Sequence, residues 1–203
     1  MHQDSEIQRL LDLLPASARM GTKIMSSPQQ KVVVEIPFPM PWAVEKLILI
    51  NFDLWEKMPG QQRDLLLLRS AIWLNKIRWF KFDLYQVLMV AGVVGTLVEL
   101  VQVDVVGVIV GGGLSVLAGG QVWRSNHSSG VELQADEEAI RVAQRRGYSP
   151  TDAASFLLKA IETVAKIEGR SGLNFIELIR CQNLRSLGGL SSVEVPDSLR
   201  GDG

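Results

Sequence analysis

"QRDLLLLRSAIWL", residues 62–74, governs how the rest of the chain is read. It follows the apolar run "KLILINF" (46–52) and a turn-rich entry, "NFDLWEKMPGQQ" (51–62). Leu65, Leu66, Leu68, Ile72 and Trp73 cover most of a helical surface. Only a narrow polar strip is left, with Asp64 and Arg69 on it. A helix that is apolar nearly all round belongs in a core. Arg69 then either lies on the one solvated strip or is paired inside. The helix is expected to run to about Trp79.

The chain has 203 residues, room for one or two domains with a real core. Its net charge of -1 gives no basic field for nucleic acid. Cys181 is the only cysteine, so a disulfide framework and a cysteine-rich zinc site are both excluded. The two histidines are His2, beside the initiator Met, and His127, in a polar stretch. Residues 1–20 are polar and amphipathic, so no signal peptide is expected.

Upstream of the central helix, "DSEIQRLLDLLP" (4–15) predicts a short helix with Ile7, Leu10, Leu11 and Leu14 on one face. "ASARMGTKIMSSPQQ" (16–30) reads as a loop. "KVVVEIP" (31–37) and "KLILINF" read as two paired strands, a short β-hairpin around the proline-rich "PFPMPW".

Residues 84–123 hold only two charges, Glu99 and Asp104. Two helices of about 18–19 residues, turning at "VQVD", would each extend about 27–29 Å. That is close to a hydrocarbon core of ~30 Å. Lys76, Arg78 and Lys81 precede the stretch, Arg124 follows it, and the turn carries acids without bases. The positive-inside rule then puts both ends on the cytoplasmic side. Trp79, Phe80, Phe82, Tyr85 and Trp123 would form an interfacial belt. Gly107, Gly111, Ser115 and Gly119 recur every fourth residue, a helix-packing stripe that lets helices approach closely in lipid. No Lys follows the glycines of "IVGGGLSVLAGG", so a phosphate-binding loop is not matched.

After the linker "SNHSSG", "VELQADEEAIRVAQRRG" (131–147) reads as a charged amphipathic helix closed by Gly147. A further helix begins with Ser149 as N-cap and Pro150 at its first position, and ends on Gly169. "NFIELIRCQNL" (174–184) is a last short helix, with a loose tail from about Ser186. Glu132 and Asp136, four apart, share one helix face.

The order of strand, apolar helix, membrane hairpin and "ELQADEEAIRVAQRRGYSPTDAASFLLKAIE" (132–162) resembles the membrane zinc metallopeptidases of the heat-shock and CAAX-prenyl-protease type. The resemblance covers roughly residues 45–165. It implies a zincin-like domain in which Glu132 stands where the family has its third zinc ligand and Asp136 where it has a supporting acid. The helix at 62–74 departs from the pattern. Where the family has His-Glu-x-x-His, this chain has Arg69 for the first His, Ser70 for the catalytic Glu and Trp73 for the second His. Metal-assisted hydrolysis needs protein ligands for the ion and a carboxylate to move the proton. The resemblance therefore implies a pseudo-peptidase with a degenerate site. The whole chain, through "LPASARM", "PFPMPW", "INFDLW" and "RDLLLLR", also resembles an uncharacterised family of cyanobacterial proteins, which implies a thylakoid or plasma membrane.

The fold expected is α+β, mostly α. A cytoplasmic segment (1–81) and cytoplasmic helices (124–185) complete one zincin-like domain, interrupted by a transmembrane hairpin (82–123), with a flexible tail (186–203). The function expected is non-catalytic binding, scaffolding or assembly of another membrane protein. The alternatives are a metallopeptidase with an atypical metal site and a structural hairpin subunit of a larger complex. No cofactor, no metal and no nucleic acid are expected. The partners are the lipid bilayer and another membrane protein, and homo-oligomerisation is left open.

Overall fold

The computed structural model describes residues 3–38, 45–76, 94 and 129–190. The chain divides into two compact units, Met1–Lys76 with Ser129–Gly203, and Ile77–Ser128. The expected hairpin at 82–123 and its stripe of Gly107, Gly111, Ser115 and Gly119 lie outside the described residues. Among the described residues no helix is long and apolar enough to cross a membrane.

The first unit is mostly helical α+β. Helix α1 (Gln3–Leu13) and the short α2 (Ala16–Arg19) lead into strand β1 (Thr22–Ser26). Strands β2 (Val34–Glu35) and β3 (Lys46–Ile50) follow, then the short α3 (Phe52–Trp55) and the long α4 (Gly60–Lys76). Three helices complete the unit: α5 (Ser129–Gln144), α6 (Pro150–Ile167) and α7 (Phe175–Leu187).

The sheet has the order β1-β3-β2. The expected antiparallel pairing is present, with Val34 opposite Ile50 and Glu35 opposite Leu49. The expected hairpin is nevertheless only part of a mixed sheet. β1, read from sequence as loop, lies parallel to β3 with Thr22 opposite Lys46 and Ser26 opposite Ile50. Its inward side chains are Thr22 and Ile24, while Lys23, Met25 and Ser26 are exposed. So short an edge strand carries almost no periodic signal of its own.

Asn51 ends the sheet and starts the helices. Its side-chain oxygen accepts from the Asp53 and Leu54 N–H groups at 3.1 and 3.3 Å, capping α3. Its amide donates to the Pro28 and Gln30 carbonyls at 3.2 and 2.8 Å, holding the loop after β1 against the end of β3.

α4 is the axis of the domain. Leu65, Leu67, Leu68, Ala71 and Leu74 are fully buried, and it packs on α1, α2, β3, α5 and α6. Asp64 and Arg69, the expected polar strip, are buried as well, at 9% and 8% exposure. Both are paired, on different sides of the helix. Burying an ionised side chain without a partner would be prohibitive.

The caps read from sequence after residue 144 are present. Gly147 has φ +93° and Gly169 has φ +68°, left-handed conformations that favour glycine. Ser149 accepts from the Asp152 N–H at 3.0 Å, with Pro150 opening α6. α7 begins with a reciprocal capping box between Asn174 and Glu177. It runs to Leu187, and the Leu190 N–H still reaches the Arg185 carbonyl at 2.7 Å. The helix end thus falls within a residue of the expected tail boundary at about Ser186, and residues 191–203 lie outside the described residues.

Candidate functional site

Three helices bring four charges together in the interior. α4 supplies Arg69, α5 supplies Glu132 and Asp136 one turn apart, and α7 supplies Arg180. The Arg69 guanidinium makes an ion pair with the Glu132 carboxylate through its terminal nitrogen. Its Nε lies 3.4 Å from Asp136 Oδ1. Arg180 meets Asp136 with two parallel bonds, Nε to Oδ2 and a terminal nitrogen to Oδ1, both at 2.8 Å. Asp136 is fully buried, and its side chain lies between the two guanidiniums.

The two arginines respond differently to the same neighbourhood. Burial pushes the Arg69 pKa down, to about 9, and the like charge of Arg180 adds to this, against the pull of Asp136. Burial, the largest single effect, also lowers Arg180, but the charge and hydrogen bonds of Asp136, with smaller contributions from its other neighbours, together leave the pKa raised. The difference follows from geometry. Asp136 gives its bidentate face to Arg180 and only a longer, 3.4 Å contact to Arg69. The Trp73 ring, one turn along α4, lies 6.0 Å from the Arg69 guanidinium carbon and supplies a π face.

Ser70 is buried and donates its hydroxyl to the Leu66 carbonyl at 2.8 Å, a bond within its own helix. It is not aimed at the charge cluster. Of the residues singled out from sequence, Arg69, Trp73, Glu132 and Asp136 therefore converge, and Ser70 does not join them.

A metal ion does not fit this set of donors. The two carboxylates face two fixed cations, and the cluster contains no imidazole or thiolate. Among the described residues no three His, Cys, Asp or Glu side chains gather as a metal site would need. His2 and His127 lie outside the described residues.

Arg180 was not singled out from sequence. Its signal is its place on the apolar stripe of Ile176, Arg180, Leu184 and Leu187, where a charge must find a partner inside. A second missed cluster ties α1 to α4. Glu6 is buried and accepts from Arg9 at 2.8 and 2.9 Å, Arg63 at 3.0 Å and the Trp55 indole at 3.3 Å. Asp64 accepts from Arg9 at 2.7 Å and from the Tyr148 hydroxyl at 2.9 Å. Burial, then the Asp64 bond, push the Tyr148 phenol up to about 12.

Residues 8–148 match the model of a family described as Protein of unknown function (DUF3318). The chain belongs to that family. The DUF3318 match takes in Arg69, Trp73, Glu132, Asp136 and Tyr148, and stops short of Arg180. It brings no link to metallopeptidases. No curated protein and no solved structure matches the chain.

Proposed function

We propose that this DUF3318 protein is a non-catalytic integral membrane pseudo-peptidase that binds another membrane protein as a scaffold or assembly factor. In this reading the helical domain is zincin-like, and residues 82–123 form a two-helix transmembrane hairpin. Both termini are cytoplasmic, at the thylakoid or plasma membrane of a photosynthetic bacterium. The observation that carries it is the pairing of Arg69 with Glu132, beside Asp136 held by Arg180. The carboxylates that would ligate and support a cation in the resembled peptidases are here neutralised by guanidiniums. An arginine can neither acidify a bound water as zinc does nor give up its proton readily near neutral pH. The cluster joins α4 to α5, the helices on either side of residues 77–128.

The test is purification from membranes in mild detergent, with metal analysis, a peptidase assay and quantitative mass spectrometry of what co-purifies. The expected result is resistance to alkaline extraction, less than stoichiometric zinc, no cleavage of casein, and one membrane protein retained near unit ratio. Soluble monomer recovered without detergent overturns the membrane part. Zinc near one per chain that is lost on Glu132→Ala overturns the non-catalytic part.

A further inference from the structure

Helix α1 is held on the domain by side chains. Among the described residues no backbone hydrogen bond joins α1 to another element, whereas β1, soon after it, is paired with β3. The inward face of α1 is Glu6 and Leu10, continued by Leu14 just past its end, at intervals of four. Leu10 and Leu14 are fully buried, and the third inward position carries a charge. α6 differs: Ala153, Ala154, Leu157, Leu158, Ala160 and Ile161 bury an apolar side chain in every turn. The 11 residues of α1 also fall short of the ~12–15 that an isolated helix needs in water. α1 is therefore a helix only while it is seated.

Glu6 seats its first half. Both oxygens of Glu6 accept from Arg9, and one also accepts from Arg63 of α4 at 3.0 Å and from the Trp55 indole of α3 at 3.3 Å. Arg9 reaches on to Asp64 at 2.7 Å, and Asp64 is held by the Tyr148 hydroxyl at 2.9 Å. The charges around Glu6 are thus Arg9 and Arg63, with Asp64 beyond Arg9, two cations for two carboxylates. An uncharged side chain at residue 6 leaves both guanidiniums to Asp64 alone. At the far end of the helix the bonds are fewer: Arg146 reaches the Leu14 carbonyl at 3.1 Å, and Arg19 the Leu11 carbonyl at 2.9 Å.

We infer that α1 is a strap that opens on its own, ahead of the rest of the domain, with Glu6 as its latch. Segments open locally where few apolar side chains are buried, and α1 is such a segment. Opening bares the seats of Leu10 and Leu14 and the indole N–H of Trp55. The strap and its latch lie within the helical unit and do not depend on residues 77–128.

The test is amide hydrogen exchange of the full-length protein in mild detergent, read by mass spectrometry and corrected for intrinsic rates. Residues 3–13 should be at least tenfold less protected than residues 62–74 and 153–165. Ile161→Val, a small change in the core of α6, should lower protection several-fold at 62–74 and 153–165 and leave 3–13 unchanged. Glu6→Gln should lower protection of 3–13 at least tenfold. The same loss should appear in the parent on going from about pH 7 to about pH 3.5. The Glu6 carboxyl is held below the usual range, so its stabilisation is complete above about pH 4.3 and is lost as the pH falls through the folded value. If Ile161→Val lowers 3–13 by the same factor as the core, α1 opens only when the whole domain does, and the strap is overturned. If Glu6→Gln leaves 3–13 as protected as in the parent, Glu6 is not the latch. Should Glu6→Gln fail to fold, the acid series on the parent decides, and unchanged protection of 3–13 down to about pH 3.5 overturns the latch.

Discussion

Asp136 receives the Arg180 guanidinium through two bonds of 2.8 Å, although the two residues lie 44 apart in the chain and on different helices. The pair fixes α7 to α5 in the interior of the domain, with Asp136 fully buried. Its net contribution to stability is modest, because desolvating two charges offsets much of their attraction. Losing one side is different, since an uncompensated charge is left inside. Arg180→Met should therefore destabilise the domain by about 3–5 kcal/mol. The double change with Asp136→Leu should destabilise less than Arg180→Met alone, because Arg69 and Glu132 remain as a neutral pair. Chemical unfolding followed by circular dichroism measures both. With the Asp136→Leu single variant measured as well, a double variant that loses the sum of the two singles would show that the two charges do not act as a unit.

Arg69 and Trp73 are one turn apart on α4, and Arg69 reaches Glu132 on α5. Histidines at both positions, with the carboxylate opposite, would give the two-nitrogen, one-oxygen ligand set of a catalytic zinc site. The expected outcome is that Arg69→His with Trp73→His binds zinc near one per chain and gains thermal stability from it. Adding Glu132→Ala should abolish both effects. Calorimetric titration with zinc reads the affinity. A double-histidine variant that folds but takes up no more zinc than the parent would count against the zincin-like geometry.

Much of this arrangement is legible in the sequence, and the parts that are not share a cause. The central helix, the caps at Gly147, Ser149 and Gly169, and the β2–β3 pairing follow from local patterns of period, turn chemistry and β-branching. The meeting of Arg69 with Glu132 needed the resemblance to align two distant helices, because nothing local connects residue 69 to residue 132. Glu6 sits on a helix face that looks like ordinary amphipathic surface, and Arg180, though it interrupts an apolar stripe, has no partner within its own helix to point to. Each is buried because a partner from elsewhere in the chain arrives beside it. β1 is a similar case: its pairing with Lys46–Ile50 is long-range, and "TKIMS" alone carries one inward aliphatic residue. Intrinsic preferences are weak priors that tertiary pairing overrides.

The cluster around Glu6 gives the domain a dependence on acid. The Glu6 carboxyl is held below the usual carboxylate range by the Arg9 hydrogen bonds, which win over the opposing effect of burial. A carboxylate whose pKa is lower in the folded state adds stability above its unfolded pKa, and loses it as the pH falls through the folded value. The gap in melting temperature between the parent and Glu6→Gln should therefore be wide at about pH 6–7 and close as the pH drops below about 4. At neutral pH the substitution should destabilise by about 3 kcal/mol, since it leaves Arg63 and Arg9 facing a neutral amide. A gap that stays constant down to acid would mean that Glu6 acts through packing alone.

The Tyr148 hydroxyl, bonded to Asp64 at 2.9 Å, tests the same cluster from its alkaline side. A phenol raised to about 12 stabilises the fold fully below about pH 10 and loses that contribution as the pH climbs through the folded value. Ultraviolet titration of the phenolate should give a late transition for Tyr148 that disappears in Tyr148→Phe. Asp64→Asn should bring it part of the way down, because burial, the larger cause, remains. An unchanged transition in Asp64→Asn would mean that the carboxylate does not hold the phenol.

The stripe of Gly107, Gly111, Ser115 and Gly119 allows a prediction that rests on sequence period alone. In lipid, apolar side chains gain nothing by leaving one hydrocarbon surface for another. Helices associate there through close van der Waals contact, which small residues permit. If residues 82–123 form the proposed hairpin, a leucine on the stripe would hold the partner helix away along the seam, whereas a leucine one position off it would face lipid. Gly111→Leu and Gly119→Leu should therefore lower the detergent melting temperature clearly, and Gly120→Leu should lower it much less. The three residues lie within ten positions of one another and share the same intrinsic helix penalty, so differences between the variants report packing rather than propensity. Equal melting temperatures across the three would show that no seam runs along this face.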